Sequence, residues 1–230
     1  YQEKVPYWQS FLTFPDGNIY GLMGSMLPSQ PKKIQGLPYI NAKWLERVGK
    51  KMPTTFEELH DVLIAFRDMD ANGNGDPADE LPIDFAQSHY ASHFSNLSFP
   101  WGVTGDYDNW TNMYYDIKDG KVLSTVNTEA YRTFLETMYQ WGQEGLINLE
   151  GFSQTEEQYY SNLDSDKVGL FFGYWPQTYI GKPEISSQFA YFAPVAAEGY
   201  QPRLAATLGT PNRTSFVLTA ATPYAKELMR

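Results

Sequence analysis

The chain has 230 residues, 42% of them hydrophobic and 16% aromatic, enough to bury a core in one large or two small domains. Its formal charge of −10 and lack of any basic stripe argue against nucleic acid, whose phosphates need clustered Lys and Arg. The absence of cysteine excludes disulfides, a thiolate nucleophile and cysteine metal sites, and no apolar run approaches the roughly 18 residues of a membrane helix.

In chain order, "FPDGNIYGL" (14–22) pairs an Asp-Gly turn with alternating residues and predicts a hairpin. "LPYINAKWLERVGKKMP" predicts a short helix capped by Asn41, with Trp44, Leu45 and Val48 inward and Gly49 ending it. The clearest helix runs from Thr54 to Asp68, with a capping box expected from Thr54 and Glu57. Its apolar stripe is Phe56, Leu59, Val62, Leu63 and Phe66. An acidic loop follows, then "LPIDFA", which is strand-like. A second Asp-Gly hairpin is expected at "YYDIKDGKVLSTV". A long helix then spans about Thr128 to Glu144, burying Tyr131, Phe134, Leu135 and Met138, with Gly145 past its end. Ser153 with Glu156 predicts another capped helix through Leu163. "KVGLFFGYW" (167–175) and "TSFVLTA" have the composition of buried strands. "LTAATPYAKELMR" reads as a strand end followed by a helix starting at Thr222 and Pro223. Ending inside a starting helix suggests a piece of something longer, as does opening on Tyr1 without a signal-peptide pattern. Alternating helices and strands indicate an α/β class.

"RDMDANGNGDPADELP" (67–82) crowds five acidic residues among asparagines and glycines. Calcium takes six to eight oxygens in irregular geometry, so ligands at alternate positions of a tight loop suit it. Asp70, Asn72 and Asn74 alternate, Gly73 and Gly75 allow the turn, Asp76 can offer its carbonyl, and Asp79 and Glu80 close the set. A second register starts at Asp68, places Asp70 and Asn72 third and fifth, and closes on Asp79 in an EF-hand-like loop. The bland alternative is a solvated acidic loop. Magnesium fits less well because it demands near-ideal octahedral geometry.

"DGNIYGLM", "YINAKWLERVG", "MPTTFEEL" and "DANGNGDPADELP", followed by "WGQEGLIN" and "KVGLFFGYW", stand in an order that resembles one family. They are similar to the extracellular solute-binding proteins (family 1) of carbohydrate ABC transporters, of the Gram-positive lipoprotein type and including alginate-binding relatives. The loop departs from that pattern by one extra residue between Asn74 and the Asp79–Glu80 pair. The resemblance implies a type II periplasmic-binding-protein-like fold: two α/β lobes joined by crossing strands, with sugar between them. It makes residues 36–197 the second lobe, carrying the calcium loop at 68–80, and residues 1–35 and 198–230 parts of the first lobe and hinge. It also implies a permease partner, an extracellular or periplasmic location, and membrane attachment only through a lipid anchor in a missing N-terminal part.

Carbohydrate recognition needs flat aromatic faces together with polar groups for hydroxyls. Trp175 follows a buried strand at the carboxyl end, where α/β sheets bind ligands. "FPWGVTGDYDNW" (99–110) sets Trp101, Tyr107 and Trp110 beside Asp106 in an expected exposed loop. Trp44 and Trp141 have core spacing, and His60 is expected at the surface. His89 and His93 could ligate zinc from a helix but lack a third ligand. No nucleophile elbow, phosphate loop or dinucleotide pattern is present. The rival functions are a glycoside hydrolase, for which Glu144 and Glu150 are the available carboxylates, and a calcium-stapled adhesion module.

Overall fold

The structure is a computed structural model. It describes residues 8–21, 32–34, 36–89, 91–103, 106–107, 114–118, 121–204, 206–208, 217, 219, 221–224 and 227. The elements in order are α1 (Trp8–Leu12), β1 (Lys32–Ile34), β2 (Leu37–Asn41), α2 (Ala42–Arg47), α3 (Phe56–Asp68) and β3 (Leu81–Ile83). Then come β4 (Asp106–Tyr107), β5 (Tyr114–Lys118), β6 (Lys121–Ser124), α4 (Glu129–Gln143) and α5 (Glu156–Asp164). The last are β7 (Val168–Gly173), α6 (Pro176–Tyr179), α7 (Pro183–Ser186), β8 (Phe189–Tyr191) and β9 (Ala206–Leu208). Short 3-10 helices occupy Phe94–Trp101, Thr125–Asn127 and Leu149–Phe152.

The chain divides into two compact units, 1–33 with 208–230, and 34–207. In the first, α1 leads into a turn closed by an antiparallel bridge from Thr13 to Ile19, where the first hairpin was expected. Thr222 accepts from the Tyr224 N–H as a cap would; most of "TSFVLTA" lies outside the described residues.

The larger unit is built on a sheet in the order β3-β7-β2-β8. β3 and β7 are parallel, whereas β2 is antiparallel to both β7 and β8. It follows that β3, β7 and β8 all point their carboxyl ends to one edge. β7 is buried along its whole length, as a central strand covered on both faces must be. Leu170 and Phe172 face a core made with α2, α3 and α4, including Trp44, Leu63, Phe66, Phe134 and Trp141. Phe171 faces a second core of Tyr39, Tyr159, Leu163, Tyr179, Ile185 and Phe189. Gly169 is needed where it stands: a Cβ there would meet the Phe66 ring at 2.5 Å and the Pro82 carbonyl at 2.9 Å. A second sheet has the order β1-β9-β4-β5-β6, and its β5–β6 pair is the second expected hairpin.

Local capping departs from expectation by a residue or two. α3 starts one residue late, its capping box made by Thr55 and Glu58, because Glu58 also receives both the Thr54 N–H and hydroxyl at 2.7 Å. The cap of α5 is Thr155 with Gln158, not Ser153 with Glu156. Leu135, expected inward, is exposed. With Tyr139, Leu149 and Phe152 it rims an apolar groove of about 510 Å³ floored by Phe94, Met138 and Ile147.

Candidate functional site

The acidic loop links the end of α3 to β3. Consecutive Asx turns shape it: Asn74 N donates to Asn72 Oδ1 (2.9 Å), Asp76 N to Asn74 Oδ1 (2.7 Å) and Ala78 N to Asp76 Oδ1 (3.2 Å). Gly73 and Gly75 adopt φ of +76° and +93°, the left-handed region that favours glycine. Asp70 Oδ2 accepts from the Gly75 N–H at 3.0 Å. Asp79 accepts the side-chain amides of Asn72 and Asn74 and faces the Lys167 ammonium at 3.4 Å. Arg47 donates to the Ala71 carbonyl at 3.1 Å, tying the loop to α2.

Two carboxylate oxygens are left over. Asp70 Oδ1 and Glu80 Oε2 are buried and receive no hydrogen bond, although Glu80 Oε1 accepts from the Asn72 N–H at 3.3 Å. Burial pushes the Glu80 carboxyl upward, and neighbouring Asp79 adds to the rise. Buried anionic oxygens without donors are costly, and a cation is the group that answers them. Carboxylate, amide and main-chain oxygens on alternate residues are the donor chemistry of a hard cation such as calcium. Among the described residues no three His, Asp or Glu side chains form a metal-binding group, so such a set depends on the amide and main-chain oxygens too. The geometry favours the register that starts at Asp70. The Asp68 carboxylate is gripped by the Arg67 fork at 2.7 and 2.9 Å. A left-handed glycine stands at the sixth position of either register, Gly75 counted from Asp70 and Gly73 from Asp68, so the Arg67 grip on Asp68 is what separates them.

The aromatic candidates separate. Trp175 is 67% exposed, just past the carboxyl end of β7, with Pro176 opening α6 behind it. Its neighbour Tyr174 is fixed on both sides, its carbonyl accepting from the Tyr39 hydroxyl (2.7 Å) and its N–H donating to the Tyr179 hydroxyl (3.1 Å). Trp101 does not form an exposed platform. It is 4% exposed and edge-on to Phe56, with its ring also against Phe134, because the segment before Gly102 winds into a 3-10 helix and turns it into the core. Asp106 and Tyr107 form β4, with side chains outside the described residues, as is the whole of Trp110. Tyr191, which the sequence reading passed over, is 47% exposed at the end of β8.

The remaining candidates resolve as structural groups. His89 and His93 lie outside any α-helix and both are buried. His60 stacks on Trp141 and pairs with Glu144 at 2.6 Å. Asp84, also missed, is fully buried and accepts from Asn148 (2.8 Å), Gln154 (2.8 Å), Asn162 (3.1 Å) and the Phe85 N–H. Burial pushes its carboxyl up despite those donors. Asn96 is buried and donates its side-chain amide to the Ala91 carbonyl.

No family model matches the chain. It is 30% identical over 174 residues to the fructooligosaccharide ABC transporter substrate-binding protein FusA of Streptococcus pneumoniae serotype 4, across 74% of this chain and 31% of FusA. It is 28% identical over 140 residues to the lipoprotein LipO of Bacillus subtilis strain 168, across 59% of this chain and 25% of LipO. The solved structure of FusA with kestose superimposes at a TM-score of 0.76 and 28% identity, covering 95% of this chain and 44% of FusA's. A FusA EF-hand mutant with fructo-nystose gives 0.75 at 26%, covering 97% and 45%. The chain therefore spans less than half the length of these relatives. The match makes the mixed α/β architecture that of the type II periplasmic-binding-protein-like fold, covering about one lobe of it. In sequence and in fold, the chain is a relative of the substrate-binding proteins of carbohydrate ABC transporters.

Proposed function

We propose that this chain is part of a solute-binding protein that captures an oligosaccharide and delivers it to a membrane permease without chemistry. The observation that carries the reading is the joint sequence and fold match to FusA, a fructooligosaccharide-binding protein. Exposed Trp175 at the carboxyl edge of the sheet supports it, since ligands of open α/β sheets bind outside that edge. Trp175 offers a flat apolar face to sugar C–H surfaces, and Tyr107, Trp110 and Asp106 are proposed as further contacts. Residues 36–197 would form the second lobe, with 1–35 and 198–230 as parts of the first lobe and hinge. By analogy with LipO, the intact protein would be an extracellular lipoprotein. The hydrolase reading is weaker because the Glu144 carboxylate is already committed to His60.

Calcium completes the proposal. Asp70, Asn72, Asn74, Asp79 and Glu80 would hold it, with Asp76 contributing its carbonyl. The two unanswered oxygens of Asp70 and Glu80 support this assignment, as does the EF-hand named for FusA. The ion would supply positive charge and fix the junction of α3 and β3.

Incubating the intact protein with a panel led by fructooligosaccharides tests the transport reading. Binding with every sugar recovered unchanged is expected. Sustained release of reducing sugar, abolished by replacing one carboxylate, would overturn it.

A further inference from the structure

The strand directions place a second exposed aromatic on the same edge as Trp175. β8 runs parallel to β7 because β2 is antiparallel to both, so Tyr191, the last residue of β8, points to the carboxyl edge. Tyr191 pairs in register with Tyr39, and Tyr39 with Phe171 of β7. The Tyr191 ring stands edge-on to the Tyr39 ring, with centroids 6.5 Å apart. The Tyr39 hydroxyl in turn holds the Tyr174 carbonyl, one residue before Trp175. A continuous aromatic connection therefore runs from Tyr191 through buried Tyr39 to the root of Trp175.

Both ends of that connection are open. Trp175 is 67% exposed and Tyr191 47%, whereas Tyr39 between them is 5% exposed. An edge strand does not require an aromatic on its open side; a short polar residue would cover Tyr39 without leaving apolar surface in water. Tyr39 packs edge-on against the Tyr191 ring, while Pro176 and the two backbone hydrogen bonds of Tyr174 fix the main chain that carries Trp175. Rigid amphipathic rings give contact area at low entropic cost.

We propose that Tyr191 is a second carbohydrate contact, and that Tyr191 and Trp175 together select ligands of more than one sugar ring. The proposal rests on the carbohydrate reading above. Two interstrand spacings separate β7 from β8, and about four residue rises separate the level of Phe171 from Trp175, so the two Cα atoms stand roughly 15 Å apart. One sugar ring cannot reach both, whereas a short oligosaccharide lying along the edge can. Trp175 is the common anchor, and Tyr191 adds affinity only to a chain long enough to reach it.

The test is a calorimetric titration of the intact protein and its Tyr191 variants with a fructooligosaccharide series of increasing length. Tyr191→Ala removes the ring, Tyr191→Leu keeps apolar packing on Tyr39 without a flat face, and Tyr191→Phe keeps the face. The expected result is about a tenfold loss for the longer sugars with Tyr191→Ala and Tyr191→Leu, the scale of one aromatic contact. The shortest ligand should be unaffected, and Tyr191→Phe should stay close to wild type. Equal affinity of all variants for every length, in protein with unchanged melting, overturns the role of Tyr191 and leaves the carbohydrate reading standing. A wild-type protein that binds no carbohydrate overturns both.

Discussion

His93 shows how one buried side chain sets an acid limit on the fold. Its Nδ1 accepts from the Ser95 N–H at 3.3 Å, and its Nε2 lies 2.7 Å from the side-chain nitrogen of Gln87. Burial pushes this imidazole down to about 4 from an ordinary 6.5. A depressed value means the stability it contributes is full above the unfolded pKa and is lost as pH falls from about 6.5 toward about 4, in total about 3 kcal/mol. Burial shifts His89 in the same direction. Asp84, Asp166 and Glu80 are pushed up by burial, so their contribution has the opposite sign, largest when they are protonated. His93→Gln should remove the His93 part of this acid sensitivity, so its melting temperature should fall less than that of the wild type as pH drops from about 6.5 toward about 4; an unchanged slope would contradict the assignment. Asp166 is a second such residue, at φ +55°. Its carboxylate accepts from Asn41 Nδ2 and Trp44 Nε1 at 3.1 and 3.2 Å, locking α2 to the turn before β7. Asp166→Ala should cost about 2–4 kcal/mol in urea unfolding, from buried donors left unpaired and a left-handed backbone without a local acceptor. Neither residue was legible in the sequence, because what makes them matter is burial by segments distant in the chain.

The acidic loop is the element whose turns were most legible, since they need only neighbouring residues and the glycines among them. The bounds of α3 and β7 were equally local. Two Thr residues in tandem blurred which one capped α3, and the 3-10 winding that buries Trp101 depends on packing against Phe56 and Phe134. Leu135 has helical core spacing yet lies on the rim of a groove, a distinction that periodicity cannot make. For the loop itself, a calcium affinity at the tighter end of the extracellular range gives about 1.4 kcal/mol of stabilisation at millimolar ion. That corresponds to roughly 3–6 °C for a domain of this size. Chelation should lower the melting temperature by at least that amount, with magnesium restoring little of it. Asp70→Ala should abolish the response. Asp68→Ala should preserve it, because Asp68 is held by Arg67 outside the favoured register. Melting indifferent to chelator, in protein first stripped of metal, would return the loop to a solvated acidic turn.

Taken whole, the 34–207 unit centres on a four-stranded sheet covered on both faces, with its acidic loop before β3 and its exposed aromatics at the opposite edge, Tyr191 ending β8 and Trp175 just past β7. β3 and β7 are hydrogen-bonded neighbours, and the Asp79–Lys167 pair joins the loop to the start of β7. The loop thus steadies the strand that presents Trp175. The family resemblance was readable because six short motifs keep their order along the chain, whereas the ligand-facing residues were only partly readable. Exposure separates Trp175 from Trp101, and no local pattern encodes it. The most direct measurement is the affinity of the intact protein for a fructooligosaccharide with and without Trp175→Ala, read by titration calorimetry on samples matched for folded fraction. The account predicts saturable binding that Trp175→Ala weakens by about 1–3 kcal/mol, with a stability loss below the 3–5 kcal/mol of a core Trp. Unfolding on replacement of Trp175, with affinity per folded molecule unchanged, would contradict it.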